Sequence, residues 1–259
     1  MPYVIITAGS GWRGVPGFVA EGRALAELNM WAMRMDELDG EITNPRTIAG
    51  GGRLRHARIR FPSGARHASW QRRAVLAAVE HTYGVAAHLA IRRGHVGIAV
   101  GHGASSGGRA WVDLAPLGWL RVDLPFMERL HRFREGGSAE RGMTLEEMAF
   151  DGIGQLLREC HRVSRVDLYT CSVGATDDGQ RLLDWMQYFW RVRVRGLRGD
   201  LHFSGHPTNP SLLGEMSVSR PPGAPANRHY GRTFVDSLIT PPSLWRSSRD
   251  QRPALSGAR

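Results

Sequence analysis

Two short segments of this sequence carry residues whose types and placement suit nucleophilic catalysis. VGIAVGHG ends an apolar run in His102 and Gly103, and VDLYTCSVG ends another in Cys171. A thiol attacks a carbonyl carbon as the thiolate, and a neighbouring imidazole that accepts its proton supplies that form. A helix N-terminus expected at Asp178, shortly after the cysteine, would lower the thiol pKa further through its dipole. Glycine at 103 lets a substrate carbonyl approach the backbone, so the amides of Gly103 and Cys171 are candidates for an oxyanion hole. The chemistry this predicts is acyl transfer with His102 as general base and Cys171 as nucleophile.

Other arrangements compete for the same residues. Gly103, Ala104, Ser105, Ser106 and Gly107 match the G-x-S-x-G nucleophile elbow, with Asp177, His202 and His206 available as partners of Ser105. That elbow needs a helix directly after the serine, and the residues from Trp111 to Leu124 lack a helical pattern. A phosphate-cradling loop at Gly101, Gly103, Gly107 and Gly108 meets the same objection. Arg191, Arg193 and Arg195 alternate with Val192 and Val194 and would project from one strand face, as a solvated face or as an anion-binding stripe. Nucleic acid is not the expected partner, because the aromatic interleaving of single-strand binding is missing. The histidines at 67, 81, 88, 95, 131 and 161 show no compact ligand spacing, so neither a metal nor another cofactor is predicted. Cys160 falls on the apolar face of a helical pattern and reads as a packed structural residue.

The elements that must hold His102 and Cys171 follow from periodicity. Tyr3 to Ala8 is an apolar, β-branched run ended by Gly9 and reads as a buried strand, whereas Ala, Leu and Met recur at helical spacing over residues 20–38. Leu54 to Phe61 alternates basic and apolar residues as an outer strand, and Trp70 to Ile91 reads as a helix. Val96 to Val100 is a compact buried strand leading straight to His102. Residues 104–141 are expected to form a partly ordered insertion with strand-like pieces at Trp111 to Val112 and Leu120 to Leu124. Thr144 and Glu147 make a capping box for a helix whose apolar face is Leu145, Met148, Ala149, Ile153, Leu156, Leu157 and Cys160. Val166 to Thr170 is the next strand, and Asp178 to Trp190 a second amphipathic helix in which Trp185, Tyr188, Phe189 and Trp190 pack toward the sheet. Val192, Val194 and Leu201 to Phe203 supply two more strands. A strand, crossover helix and strand in this order predict two parallel strands in one sheet, with His102 and Cys171 at the same edge. That edge is where open α/β sheets bind ligands.

At these residues the sequence resembles the caspase-like (clan CD) cysteine peptidases, in which an apolar strand ending in His-Gly precedes another ending in Cys. LYTCSVGATDDGQRLL also resembles the cysteine strand and helix of bacterial caspase-like domains. The resemblance spans about residues 90–205. It implies a three-layer α/β sandwich with a mostly parallel central sheet and a cysteine endopeptidase working through a thioester intermediate. It further implies a protein or peptide substrate, possible regulation by a protein partner, and a specificity pocket within Phe203 to Asn209, at Ser204, Gly205 and His206. Two features depart from the family pattern: Thr170 precedes the cysteine where many members carry Ala or Gly, and the interval from His to Cys is long. A caspase-like module that binds a partner without catalysis is the alternative within the same fold, and a serine hydrolase using Ser105 is the alternative outside it.

Composition sets the frame. The 259 residues, 42% of them hydrophobic, suffice for one large core. The expected organisation is one α/β domain over residues 1–215, with the insertion inside it, and a Pro-, Arg- and Ser-rich extension over residues 216–259. No run reaches the ~20 apolar residues of a membrane span, and MPYVIITAGS lacks the pattern of a cleaved signal peptide. Two cysteines do not make a disulfide framework, which points to a reducing, bacterial cytoplasmic setting or to export without a cleaved signal. The formal charge is +10 and all 34 basic residues are arginine. That bias is the mark of a GC-rich coding sequence, or of an effector that avoids lysine.

Overall fold

The computed structural model describes residues 3–7, 32–35, 79, 95–99, 103–106, 109–114, 120–136, 142–160, 163–204, 215–218, 245–250 and 253. Its centre is a six-stranded sheet. The first three strands are β1 (Tyr3–Thr7), β2 (Ala32–Met35) and β3 (His95–Ala99). After an intervening unit come β7 (Arg165–Leu168), β8 (Arg193–Leu197) and β11 (Trp245–Ser247). The spatial order is β2-β1-β3-β7-β8-β11. All neighbours are parallel except β8 and β11. The strand order changes direction at β1, with β2 on one side and β3 on the other; in open α/β sheets ligands commonly bind beyond the carboxyl ends of the strands at such a point.

The intervening unit is a three-stranded antiparallel sheet of β4 (Gly103–Ser106), β5 (Arg109–Leu114) and β6 (Leu120–Asp123), followed by helix α1 (Leu124–Gly136). Ser106 pairs with Arg109, so Gly107 and Gly108 are the two connecting residues, a composition that two-residue hairpins favour. The strand-like pieces expected here are present, but the segment is an ordered sheet and helix rather than a loose insertion. Helix α1 was legible and missed. The Phe126 amide donates to Asp123 Oδ1 at 2.8 Å, and Leu124, Met127, Leu130 and His131 are buried at helical spacing.

Helix α2 (Leu145–Gln155) begins with the expected capping box: the Thr144 amide donates to Glu147 Oε2 at 2.9 Å and the Glu147 amide to Thr144 Oγ1 at 3.2 Å. Its last turn widens into a π-helical segment, Leu156–Cys160. The side chain of Cys160 lies outside the described residues. Helix α3 (Asp177–Trp190) starts at the cap Thr176, whose Oγ1 accepts from the Gly179 amide at 3.3 Å.

The aromatic residues of α3 pack mainly against other helices. Trp190 stacks on Phe150 with ring centroids 5.0 Å apart and donates its indole N–H to the Phe150 carbonyl at 3.1 Å, while Trp185 lies 4.9 Å from the His131 ring. Trp190 also explains Gly154, where a Cβ would stand 2.6 Å from Trp190 Cδ1. The core joins Val112, Leu114 and Val122 of the small sheet to the three helices and to Val166, Leu168 and Val194 of the large one.

Three expectations need correction. Ala32–Met35 is a parallel strand, in register with Tyr3–Ile6, and not the end of a helix over residues 20–38. Pairing with β1 overrides the helical preference of Ala and Met. Trp245–Ser247, within the expected extension, is an edge strand of the main sheet. Arg195 does not present a free stripe with Arg191 and Arg193. It turns onto Asp167 and stacks 4.5 Å over Trp245, while Arg191 caps α3 at φ 55° and lies over Tyr188. The strand expected at Leu54 to Phe61 lies outside the described residues, and of the helix expected over Trp70 to Ile91 only Val79, helical and buried, is described.

Candidate active site

Strands β3 and β7 are hydrogen-bonded neighbours in parallel register, with His95, Val96, Gly97 and Ile98 opposite Arg165, Val166, Asp167 and Leu168. Both therefore end at the same edge of the sheet. Cys171 lies three residues beyond Leu168, and His102 four residues beyond Ile98 in the sequence. His102 lies outside the described residues. Gly103 opens β4 opposite Val112, so the chain passes from β3 into the small sheet at this edge.

The Cys171 side chain is half-buried and is not in a disulfide. Tyr169 before it is buried and meets Trp245 edge-to-face at 5.2 Å. Thr170 is 1% exposed, and its hydroxyl has no hydrogen-bond partner among the described residues. A buried hydroxyl left unpaired costs about 1–3 kcal/mol, a cost that an alanine at this position would not carry.

After Cys171 the chain turns sharply. Ser172 adopts φ 47°, a left-handed conformation that costs a non-glycine residue about 1–2 kcal/mol. The turn is tied down on one side by the residues that follow β8, where the Ser172 amide donates to the Gly199 carbonyl at 2.9 Å and the Ser172 hydroxyl to Asp200 Oδ1. The Gly174 amide donates to the Leu197 carbonyl at 2.7 Å. On the other side Arg246 of β11 donates to the Thr176 carbonyl at the start of α3. Gly174 is required by space: a Cβ there would stand 2.6 Å from the Gly196 carbonyl oxygen and 3.1 Å from that of Leu197. Gly174→Ala is expected to lower stability by about 2–3 kcal/mol, read as a drop in the urea midpoint. An unchanged midpoint would show that the turn has room to relax.

The segment after β8 continues into β9 (Leu201–Ser204), which pairs antiparallel with β10 (Glu215–Val218). Ser204, the first of the residues expected to bind substrate, ends β9 opposite Glu215. Gly205 and His206 lie outside the described residues. The hairpin that carries Ser204 thus starts from the turn bonded to Ser172.

Ser105 lies within β4 opposite Ala110, in an antiparallel ladder. The strand, turn and helix of a serine elbow are not formed there, because the chain returns as β5. Sequence reasoning missed Ser172 and Asp200; the Gly199-Asp200 pair between two apolar strands was the available signal, since a turn is expected there. Among the described residues no group of three or more His, Cys, Asp or Glu is placed to hold a metal ion, and no helix is long and apolar enough to cross a membrane. Comparison with protein-family models, with curated proteins and with solved structures finds no match.

Proposed function

We propose that this chain is a caspase-like cysteine endopeptidase in which His102 and Cys171 form the catalytic pair. The observation that carries the reading is the parallel pairing of β3 with β7, whose carboxyl ends lead to the two residues at one edge. Adjacent strands lie about 4.8 Å apart, so groups just past their ends come within reach of a shared proton. The order β2-β1-β3-β7-β8 with an antiparallel β11 supports a sandwich built round a mostly parallel sheet.

In this mechanism His102 takes the Cys171 proton, and the thiolate adds to the scissile carbonyl carbon. The amides of Gly103 and Cys171 stabilise the oxyanion. As the intermediate collapses, the C–N bond breaks and His102 returns the proton to the leaving amine. Water, deprotonated by the same imidazole, then hydrolyses the thioester and restores the thiol. Ser204, Gly205 and His206 contact the substrate peptide from the hairpin that follows Gly199 and Asp200.

Iodoacetamide alkylation of Cys171, followed by peptide mass spectrometry, tests the pair. An ordinary thiol, with a pKa near 8.5, is less than about 1% thiolate at pH 6. The wild type is expected to react at pH 6 at least roughly tenfold faster than His102→Ala, with the two converging above pH 9. Equal rates at pH 6 in two folded proteins would remove the pair and leave a non-catalytic module of the same fold.

A further inference from the structure

The turn after Cys171 holds a non-glycine residue in a left-handed conformation, its carbonyl accepting the Ala175 amide within the turn at 2.9 Å and its donors engaged by the segment after β8. Ser172 at φ 47° gives its amide proton to Gly199 and its hydroxyl proton to Asp200. Gly199 and Asp200 immediately precede β9, and β9 ends at Ser204. The residue after the candidate nucleophile is therefore bonded to the residues that launch the candidate substrate hairpin.

An unfavourable φ persists only where surrounding bonds over-determine it, and such positions cluster where geometry serves function. Here the two bonds offset the strain and set the direction in which the chain leaves Cys171. The β7–β8 ladder ends at Leu168 and Gly196, and beyond it the Gly174 amide ties the end of the turn to the Leu197 carbonyl, while Ser172 itself is held by Gly199 and Asp200.

We infer that Ser172 and Asp200 are positioning residues: their hydrogen bond locks the turn that presents the Cys171 thiol and couples it to the β9–β10 hairpin. This inference rests on the proposed pair of His102 and Cys171. Neither residue touches the reacting atoms. The bond acts through the Cys171 backbone, and movement of the hairpin, as when substrate is seated along it, is transmitted to the nucleophile.

Charged groups on the elements packed round the turn include Arg198 of the same connection, Asp177, Asp178, Arg181 and Asp184 of α3, Arg193 and Arg195 of β8, and Arg246 of β11. A direct electrostatic effect of the Asp200 charge on the thiol is the competing account, and the two separate cleanly. Asn keeps an acceptor oxygen at 200 and removes the charge, whereas Ala removes both. Glycine at 172 adopts φ 47° without strain, whereas alanine keeps the strain and loses the bond.

The test is the rate of iodoacetamide alkylation of Cys171 between pH 5 and pH 10 in the full chain. Asp200→Ala and Ser172→Ala are each expected to slow alkylation at pH 6 by about tenfold, the loss of one hydrogen bond to a charged acceptor, with no change above pH 9. Asp200→Asn and Ser172→Gly are expected to stay within about threefold of wild type, because each keeps part of the bond or relieves the strain. Ser172→Ala added to Asp200→Ala should cost nothing more, the signature of one shared interaction. The inference is overturned if Asp200→Ala matches wild type at pH 6, if Asp200→Asn and Asp200→Ala behave alike, or if the alanine variants react faster at every pH, as a merely loosened fold would. His102→Ala is run beside them. If it leaves the profile unchanged, the catalytic pair fails and this inference with it. If it changes the profile while Asp200→Ala does not, the inference alone fails.

Discussion

Removing residues 245–259 is expected to abolish the cooperative unfolding transition of this protein. The segment was expected to be an extension, yet it closes one edge of the main sheet: Trp245, Arg246 and Ser247 pair with Leu197, Gly196 and Arg195. Trp245 is 5% exposed and packs between Tyr169 and the Arg195 guanidinium. Losing a buried tryptophan alone costs about 3–5 kcal/mol, against total domain stabilities of about 5–15 kcal/mol.

The truncation also strips partners from groups that remain. Ser248 exchanges bonds with Val194, donating its amide to the carbonyl at 2.8 Å and accepting the Val194 amide at its Oγ at 2.9 Å. Asp184 of α3, buried, accepts from the Arg249 amide at 2.7 Å and from its guanidinium at 2.8 and 3.0 Å. That hydrogen bond is the main reason the Arg249 pKa lies above its ordinary value. Without residues 245–259 the donors and acceptors of β8 on that side lose their ladder, and Asp184 keeps Gln180 as a partner but not Arg249. Far-ultraviolet circular dichroism during heating is the measurement. A sharp transition within a few degrees of the full chain would refute the strand's role. Trp245→Ala, which keeps the ladder, is expected to fold with a lowered midpoint.

Arg195→Met is expected to destabilise the fold by about 3 kcal/mol. Strand β7 is the third from the β11 edge and is buried on both faces, so Asp167 is fully buried in its middle. The Arg195 guanidinium grips it with two bonds, Nε to Oδ1 at 2.7 Å and Nη2 to Oδ2 at 2.9 Å, and Arg165 Nε adds a contact at 2.9 Å. Methionine fills much of the arginine stem's space but removes both guanidinium bonds from the buried carboxylate. The cost of an uncompensated buried charge exceeds the worth of the pair itself, so removing both partners should hurt less than removing one. Asp167→Leu combined with Arg195→Met is therefore expected to recover at least half of the loss in urea titrations. If the single variant lies within 0.5 kcal/mol of wild type, an estimate at the scale of surface substitutions, the grip on Asp167 is not what stabilises β7.

The capping box at Thr144 and Glu147 and the strand ends before His102 and Cys171 were readable because their signals are local. A cap needs two residues three apart, and a buried strand needs a short apolar run. The parallel pairing of β3 with β7 was readable for a topological reason, since strands joined by a long crossover in one sheet run the same way. Helix α1 was hidden by a conflict of patterns: Leu120 to Leu124 alternates like a strand, and the helix takes over at Asp123 without a break. Ala32–Met35 was hidden by propensity, because Ala and Met favour helices and β1 supplied the missing partner.

The sequence by itself determined which candidate residues the parallel strands lead to at one sheet edge, because residue types and strand ends are written in consecutive residues. Tertiary structure alone decided what surrounds Cys171. The left-handed Ser172, its bonds to Gly199 and Asp200, and the Arg246 contact from β11 join residues separated by 27 to 70 positions. Such contacts have no period or spacing, since the sheet order that creates them brings β8 and β11 beside β7. The same order turned Arg195 inward onto Asp167, where the strand's own alternation could not distinguish a solvated face from a buried ion pair.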